Sequence, residues 1–141
     1  QETAEDTQWI RARVPMVIKA FRVGERAISR FEEFGADYLM VDGDNPGSGQ
    51  VFDWRLAEGV ANHHRLIVSG GLRPDNVAQA IAHLRPGGVD VSTGVESAPG
   101  RKDPLLVRDF ITNARLAQTE VAARHPAEDE SSEEPYDWRE G

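Results

Sequence analysis

The sequence predicts an α/β fold built on parallel strands, and three observations carry that prediction. Four short apolar runs begin near residues 16, 38, 66 and 89, with helical patterns between them. The intervals of 22, 28 and 23 residues are too long for hairpins and suit strand–helix–strand units. The runs are nearly continuous in apolar residues rather than alternating, as expected of strands covered on both faces. Two architectures satisfy this pattern: a doubly wound sheet, or part of a (βα)8 barrel. A complete barrel needs at least ~200 residues. With 141 residues, about half of one would be present.

The elements follow in order. Residues 4–13 form a candidate opening helix. Met16-Val17-Ile18-Lys19-Ala20-Phe21 is the first strand run. Ala27, Ile28, Phe31 and Phe34 then recur at helical spacing, and Gly35 stops the helix. Tyr38-Leu39-Met40-Val41 is the second strand, ending at Asp42, and a Gly/Pro/Ser loop runs from Gly43 to Gln50. Phe52-Asp53-Trp54 opens a helical stretch through Leu56 and Val60. Leu66-Ile67-Val68 is the third strand, ending at Ser69-Gly70-Gly71. Pro74 suits a first helical turn, and Val77, Ala80, Ile81 and Leu84 form an apolar stripe after it. Val89-Asp90-Val91 is the fourth strand, ending at Ser92-Thr93-Gly94. Asp103-Pro104 reads as an N-cap followed by N1, with Leu106, Phe110 and Ala114 on one face of the last helix.

Composition excludes several classes of function. The net charge is −8, against nucleic acid as the main partner, because phosphate neutralisation needs a basic surface. The chain contains no cysteine, which removes disulfides, thiolate metal sites and a cysteine nucleophile and fits a cytoplasmic location. No apolar run reaches the ~20 residues of a membrane span, and the acidic start is unlike a signal peptide. Position 1 is Gln rather than Met, so the natural start is expected further upstream. Residues 124–141 carry −5 of the −8 charge and offer little to bury. We therefore expect one partial-barrel domain over 1–117 and an acidic, disordered tail over 118–141. Tyr136 and Trp138 leave a docking role for that tail open.

In both architectures ligands bind at the carboxyl ends of the strands. Asp42 stands there as a candidate general acid or base, against the simpler role of pinning the next loop. Ser69-Gly70-Gly71 and Ser92-Thr93-Gly94 are consecutive glycine-bearing loops. Their N–H groups could converge on one anion, whereas the bland alternative is a pair of tight turns. Asp90 lies within the fourth strand. Lys19 interrupts an apolar strand and is expected to point towards the mouth of the barrel, to attract phosphate or to pair with a carboxylate. Gly47-Ser48-Gly49 reads equally as an anion nest or a loop over the site. His63 and His64 read as surface residues away from the ligand end. No metal-ligand spacing, nucleophile elbow or Walker loop occurs.

Five segments together resemble the phosphoribosylanthranilate isomerase family. They are Val41-Asp42, Pro46-Gly47-Ser48-Gly49-Gln50-Val51-Phe52-Asp53-Trp54, Val68-Ser69-Gly70-Gly71-Leu72-Arg73-Pro74-Asp75-Asn76-Val77, Val89-Asp90-Val91-Ser92-Thr93-Gly94-Val95-Glu96-Ser97 and Pro99-Gly100-Arg101-Lys102-Asp103. The resemblance covers residues 1–116. It implies the C-terminal half, about strands five to eight, of a (βα)8 TIM barrel. It further implies an isomerase of tryptophan biosynthesis that carries out an Amadori rearrangement of N-(5′-phosphoribosyl)anthranilate to 1-(2-carboxyphenylamino)-1-deoxyribulose 5-phosphate, with no cofactor and no metal. On this resemblance Asp42 is the general acid. Ser69, Gly70, Gly71, Ser92, Thr93 and Gly94 hold the phosphate, and Asp90 orients the substrate.

The chain departs from the family pattern in four places. The family's general base is a cysteine at the end of the first strand, and this chain has neither. The arginine that helps to hold the anthranilate carboxylate comes from the early strands. Pro46 replaces a frequent glycine, and Thr93 a frequent serine. The expectation is an isomerase fragment, inactive alone, whose partners are the sugar-phosphate substrate and either the missing N-terminal half or a second copy. The alternative is a non-catalytic phosphate-binding half-barrel, a pseudoenzyme. A third reading, indole-glycerol-phosphate synthase, needs catalytic lysines that the pattern does not supply.

Overall fold

The computed structural model describes residues 2–22, 31–43 and 65–124. Helix α1 (Ala4–Arg11) begins at a capping box. The Thr3 hydroxyl accepts from the Asp6 N–H at 3.1 Å, and the Asp6 carboxylate accepts from the Thr3 N–H at 2.9 Å. Four parallel strands follow in the order β1-β2-β3-β4: β1 (Ile18–Arg22), β2 (Tyr38–Asp42), β3 (Leu66–Ser69) and β4 (Gly88–Val89). Helix α2 (Val77–Leu84) joins β3 to β4. After β4 come a 3-10 turn (Thr93–Val95), an antiparallel hairpin of β5 (Glu96–Ala98) and β6 (Arg101–Lys102), and helix α3 (Pro104–Arg124).

The first three strand runs, the α2 stripe and the start of α3 match the pattern in the sequence, whereas β4 ends at Val89, so Asp90 and Val91, expected within the fourth strand, follow it. Asp103 caps α3 as expected: its carboxylate accepts from the Leu105 N–H at 2.8 Å. The hairpin was not anticipated, because its strands are too short to show a period. Helix α3 runs on through 118–124, the first part of the segment expected to be a tail. The helical pattern over Phe52 to Val60, the Gly47-Ser48-Gly49 loop, His63, His64 and residues 125–141 lie outside the described residues.

Register decides which way each side chain points. Lys19 pairs with Leu39, and Phe21 with Val41. Leu39 pairs with Leu66, and Val41 with Val68. Residues paired in a parallel sheet share a face. Phe21, Leu39, Val41, Leu66 and Val68 are buried in one cluster with Val77, Ala80, Ile81 and Leu84 of α2 and Phe110 and Ala117 of α3. Phe34 packs edge-on against Phe21, with ring centroids 5.1 Å apart. The other face presents Ile18, Ala20, Met40 and Ile67, and Ile18 is 48% exposed.

Lys19 corrects one expectation. It lies on the helix-covered face, not at the mouth, because it alternates with Ala20 and shares its face with Leu39. Its ammonium group is buried against Glu2 at 2.7 Å and lies 5.5 Å from the centre of the Phe21 ring. Of the two roles open to it, it takes the carboxylate partner.

The amino ends of the strands are tied by polar contacts. The Asp37 carboxylate accepts from the Val17 N–H at 2.7 Å and pairs with Arg11 at 3.0 Å. Arg65 donates to the Asp37 carbonyl at 2.6 Å and to the Ala36 carbonyl, with its guanidinium over the Phe31 ring. Replacement of the fully buried Leu66 by Ala should destabilise the chain by about 2–5 kcal/mol in denaturant unfolding. Ile18→Ala, on the open face, should cost below about 0.5 kcal/mol. Equal losses would show that the two faces are not different in this way.

Candidate active site

The carboxyl ends of the strands gather the residues singled out in the sequence. Arg22 pairs with Asp42, and Asp42 with Ser69. Val68 pairs with Val89, and the Asp90 N–H donates to the Val68 carbonyl at 2.8 Å, which sets Asp90 beside Ser69. Asp42, Ser69 and Asp90 thus form one row at the ends of β2, β3 and β4, with Asp90 just past β4. The Ser69 hydroxyl donates to the Asp90 carboxylate at 2.9 Å. Ser69 is buried, while Asp42 and Asp90 are exposed. An exposed carboxylate row beside a fixed hydroxyl can exchange protons with a bound ligand.

The glycine loops meet beside this row. Gly70 and Gly71 have φ of 84° and 66°, the left-handed region that glycine tolerates best. A Cβ on Gly70 would strike the Gly43 N–H and the Asp42 carboxylate, so Gly70 is also what lets Asp42 lie over the loop. The Gly43 N–H is occupied, donating to the Ser69 carbonyl at 3.1 Å. A Cβ on Gly94 would overlap the Leu72 carbonyl. The loop after β4 therefore rests directly on the loop after β3, and Gly70, Gly71, Ser92, Thr93 and Gly94 border one mouth. Ser92 and Thr93 are exposed there.

Two supporting residues were missed in the sequence. Asn76 is buried at the start of α2, and its amide N–H donates to the Gly71 carbonyl at 2.9 Å while its amide oxygen accepts from the Arg73 N–H at 2.8 Å. It clamps the first glycine loop rather than capping the helix. The signal available in the sequence is an amide side chain two residues after Pro74, just before the apolar stripe of α2. Lys102, on the hairpin, donates to the Ser92 carbonyl at 2.8 Å and to the Glu96 carboxylate at 2.7 Å, holding the second loop. Nothing in the sequence separates that lysine from a surface one. Among the described residues no group of three or more His, Asp or Glu could hold a metal. Nor is any described helix long and apolar enough to cross a membrane.

The family model for N-(5′-phosphoribosyl)anthranilate (PRA) isomerase matches residues 1–113. The chain belongs to this family. A relative named N-(5′-phosphoribosyl)anthranilate isomerase in Trichlorobacter lovleyi is 49% identical over 110 residues, which cover 72% of this chain and 52% of that protein. Among solved structures, phosphoribosyl anthranilate isomerase from Thermus thermophilus superposes with a TM-score of 0.69 at 32% identity, covering 82% of this chain and 57% of that one. The Thermotoga maritima structure of that name gives 0.67 at 39% identity, covering 82% and 58%. The sheet is thus of the α/β TIM-barrel type, and the doubly wound alternative falls away. The chain spans about half the length of the relatives that it matches.

Glu96 reports on the lysine strut. Its hydrogen bond from Lys102 is the main cause that holds its pKa below the usual 4.5, followed by the Gly100 N–H. A depressed carboxylate contributes stability above its unfolded value and loses it as the pH falls through the folded value. An NMR titration should find Glu96 below 4.5 in the parent chain and closer to 4.5 in Lys102→Met. An unchanged value in the variant would remove Lys102 from this role.

Proposed function

We propose that this chain supplies the acid and phosphate half of a phosphoribosylanthranilate isomerase of tryptophan biosynthesis. The observation that carries the reading is the single row of Asp42, Ser69 and Asp90 beside two interlocked glycine loops. Loop N–H groups at Gly70, Gly71, Thr93 and Gly94 bind the substrate phosphate, with the Ser69 and Ser92 hydroxyls nearby. The protonated carboxyl of Asp42 gives its proton to the furanose ring oxygen, and the bond from C1 to that oxygen breaks to leave a Schiff base. A base then takes the proton from C2, which gives an enolamine, and tautomerisation yields the ketone. Asp90, held by Ser69, orients the substrate.

The base is not a cysteine of this chain, since there is none. We place it on further βα units that close the barrel over the open face of Ile18, Ala20, Met40 and Ile67. Those units, or a second copy of the chain, would also cover the outer edges of β1 and β4. An open parallel sheet otherwise leaves unpaired edges in water. The competing reading, a phosphate binder without catalysis, needs no carboxylate at Asp42, and Gly70 is shaped to admit one.

Inorganic phosphate separates these readings from a site with no anion function. Titrated into the purified chain, it should shift the amide resonances of Gly70, Gly71, Thr93 and Gly94 together, with weak affinity and no isomerisation of N-(5′-phosphoribosyl)anthranilate. No shift at these amides would overturn the phosphate site. Isomerisation at a normal rate would overturn the division of acid and base, since a general base is worth about 10²–10⁴-fold.

A further inference from the structure

Arg22 ends β1 as Asp42 ends β2, and the two residues are register partners. Arg22 alternates with the buried Phe21, so it lies on the face opposite the helices with Ile18 and Ala20, and it is exposed. The row at the carboxyl ends of the strands therefore begins one strand before the candidate acid. Neighbouring strands lie about 4.8 Å apart, which sets the Cα of Arg22 about 5 Å from that of Asp42 and about 10 Å from that of Ser69. The glycine loops follow β3 and β4, on the other side of Asp42 from Arg22. On that other side Arg73 pairs with Asp75 at 2.9 Å, Lys102 holds Glu96 and the Ser92 carbonyl, and Arg101 sits in the hairpin. On the β1 side, Lys19 lies on the helix-covered face with Glu2. Among the described residues, Arg22 is thus the cation that the row presents beyond Asp42.

We propose that Arg22 binds the carboxylate on the aromatic ring of the isomerase substrate. The inference rests on the isomerase reading above and adds a residue to it. The family resemblance places one carboxylate-binding arginine on the early strands, and Arg22 is a second, from this half. The order of groups carries the assignment. In N-(5′-phosphoribosyl)anthranilate the phosphate is on C5, the ring oxygen bridges C4 and C1, and the anthranilate nitrogen is on C1. The groups therefore run from phosphate to ring oxygen to carboxylate. Across the sheet the glycine loops, Asp42 and Arg22 run in the same order. A substrate with its phosphate on the loops and its ring oxygen at Asp42 sends its aromatic end over β1. A guanidinium is planar and takes a carboxylate through two parallel N–H bonds. Its five N–H donors let it serve a neighbour in the protein and a ligand together. A sugar phosphate without the aromatic acid leaves this contact unmade, so Arg22 selects for the carboxylate end.

The test uses the full chain, because a carboxylate preference seen in it comes from its own residues. Two ligands are titrated by NMR: 1-(2-carboxyphenylamino)-1-deoxyribulose 5-phosphate, and the same compound without the carboxyl group. The parent chain should bind the first about ten-fold more tightly than the second. Arg22→Gln should lose that preference while keeping its affinity for the second ligand, and Arg22→Lys should recover part of it. Equal affinities of the parent chain for the two ligands would overturn the proposal. So would an equal loss for both ligands in Arg22→Gln, which would make Arg22 a general attractor of anions. Inorganic phosphate reports on the underlying reading separately, through the Gly70, Gly71, Thr93 and Gly94 amides. If those amides shift in both the parent and Arg22→Gln, the variant is folded, and a missing carboxylate preference removes Arg22 alone. If they do not shift in the parent, the isomerase reading falls and Arg22 with it.

Discussion

Where the loop after β4 crosses the loop after β3, the backbone of Gly94 presses on the carbonyl of Leu72 with no room for a side chain between them. The candidate site depends on that contact. It brings the two glycine loops together, although Gly94 lies 22 positions after Leu72 in the sequence. The contact is held from both sides. Asn76 fixes the first loop through Gly71, and Lys102 fixes the second through Ser92. Both props come from elements outside the loops, the start of α2 and the hairpin. The loops are therefore preset, and little ordering is left for a ligand to impose.

Strand register supplies the second component. A parallel sheet has one side chain per strand in each row, so Asp42 and Ser69 are neighbours by construction, and Asp90, just past β4, joins them by accepting from the Ser69 hydroxyl. Slipping β2 by one residue would turn Asp42 into the helix-covered core and expose Val41. The buried set of Leu39, Val41, Leu66 and Val68 thus fixes which residues lie on the open face as well as the core. Lys19 obeys the same rule. Its position in the alternation commits it to the helix side, where Glu2 and two aromatic rings receive it.

Much of this was legible in the sequence, for physical reasons that differ by residue. The apolar strand runs and the α2 stripe show because burial on a regular element leaves a period. Asp42 and the two glycine loops stand out because each breaks an apolar run at its end. Lys19 misled because a cation in an apolar strand reads as functional until register is known, and register is a property of pairs of strands. Asn76 and Lys102 went unseen because they act through backbone carbonyls, which accept from any donor that the fold brings near.

The central claim is that Asp42 is the proton donor of a site completed by βα units outside this chain. The most direct measurement is isomerisation by this chain joined behind the N-terminal half of a family relative, with and without Asp42→Asn. The account predicts that the joined protein turns over N-(5′-phosphoribosyl)anthranilate and that Asp42→Asn lowers kcat by about 10²–10⁴-fold with little change in KM. Equal turnover by the two proteins would contradict it.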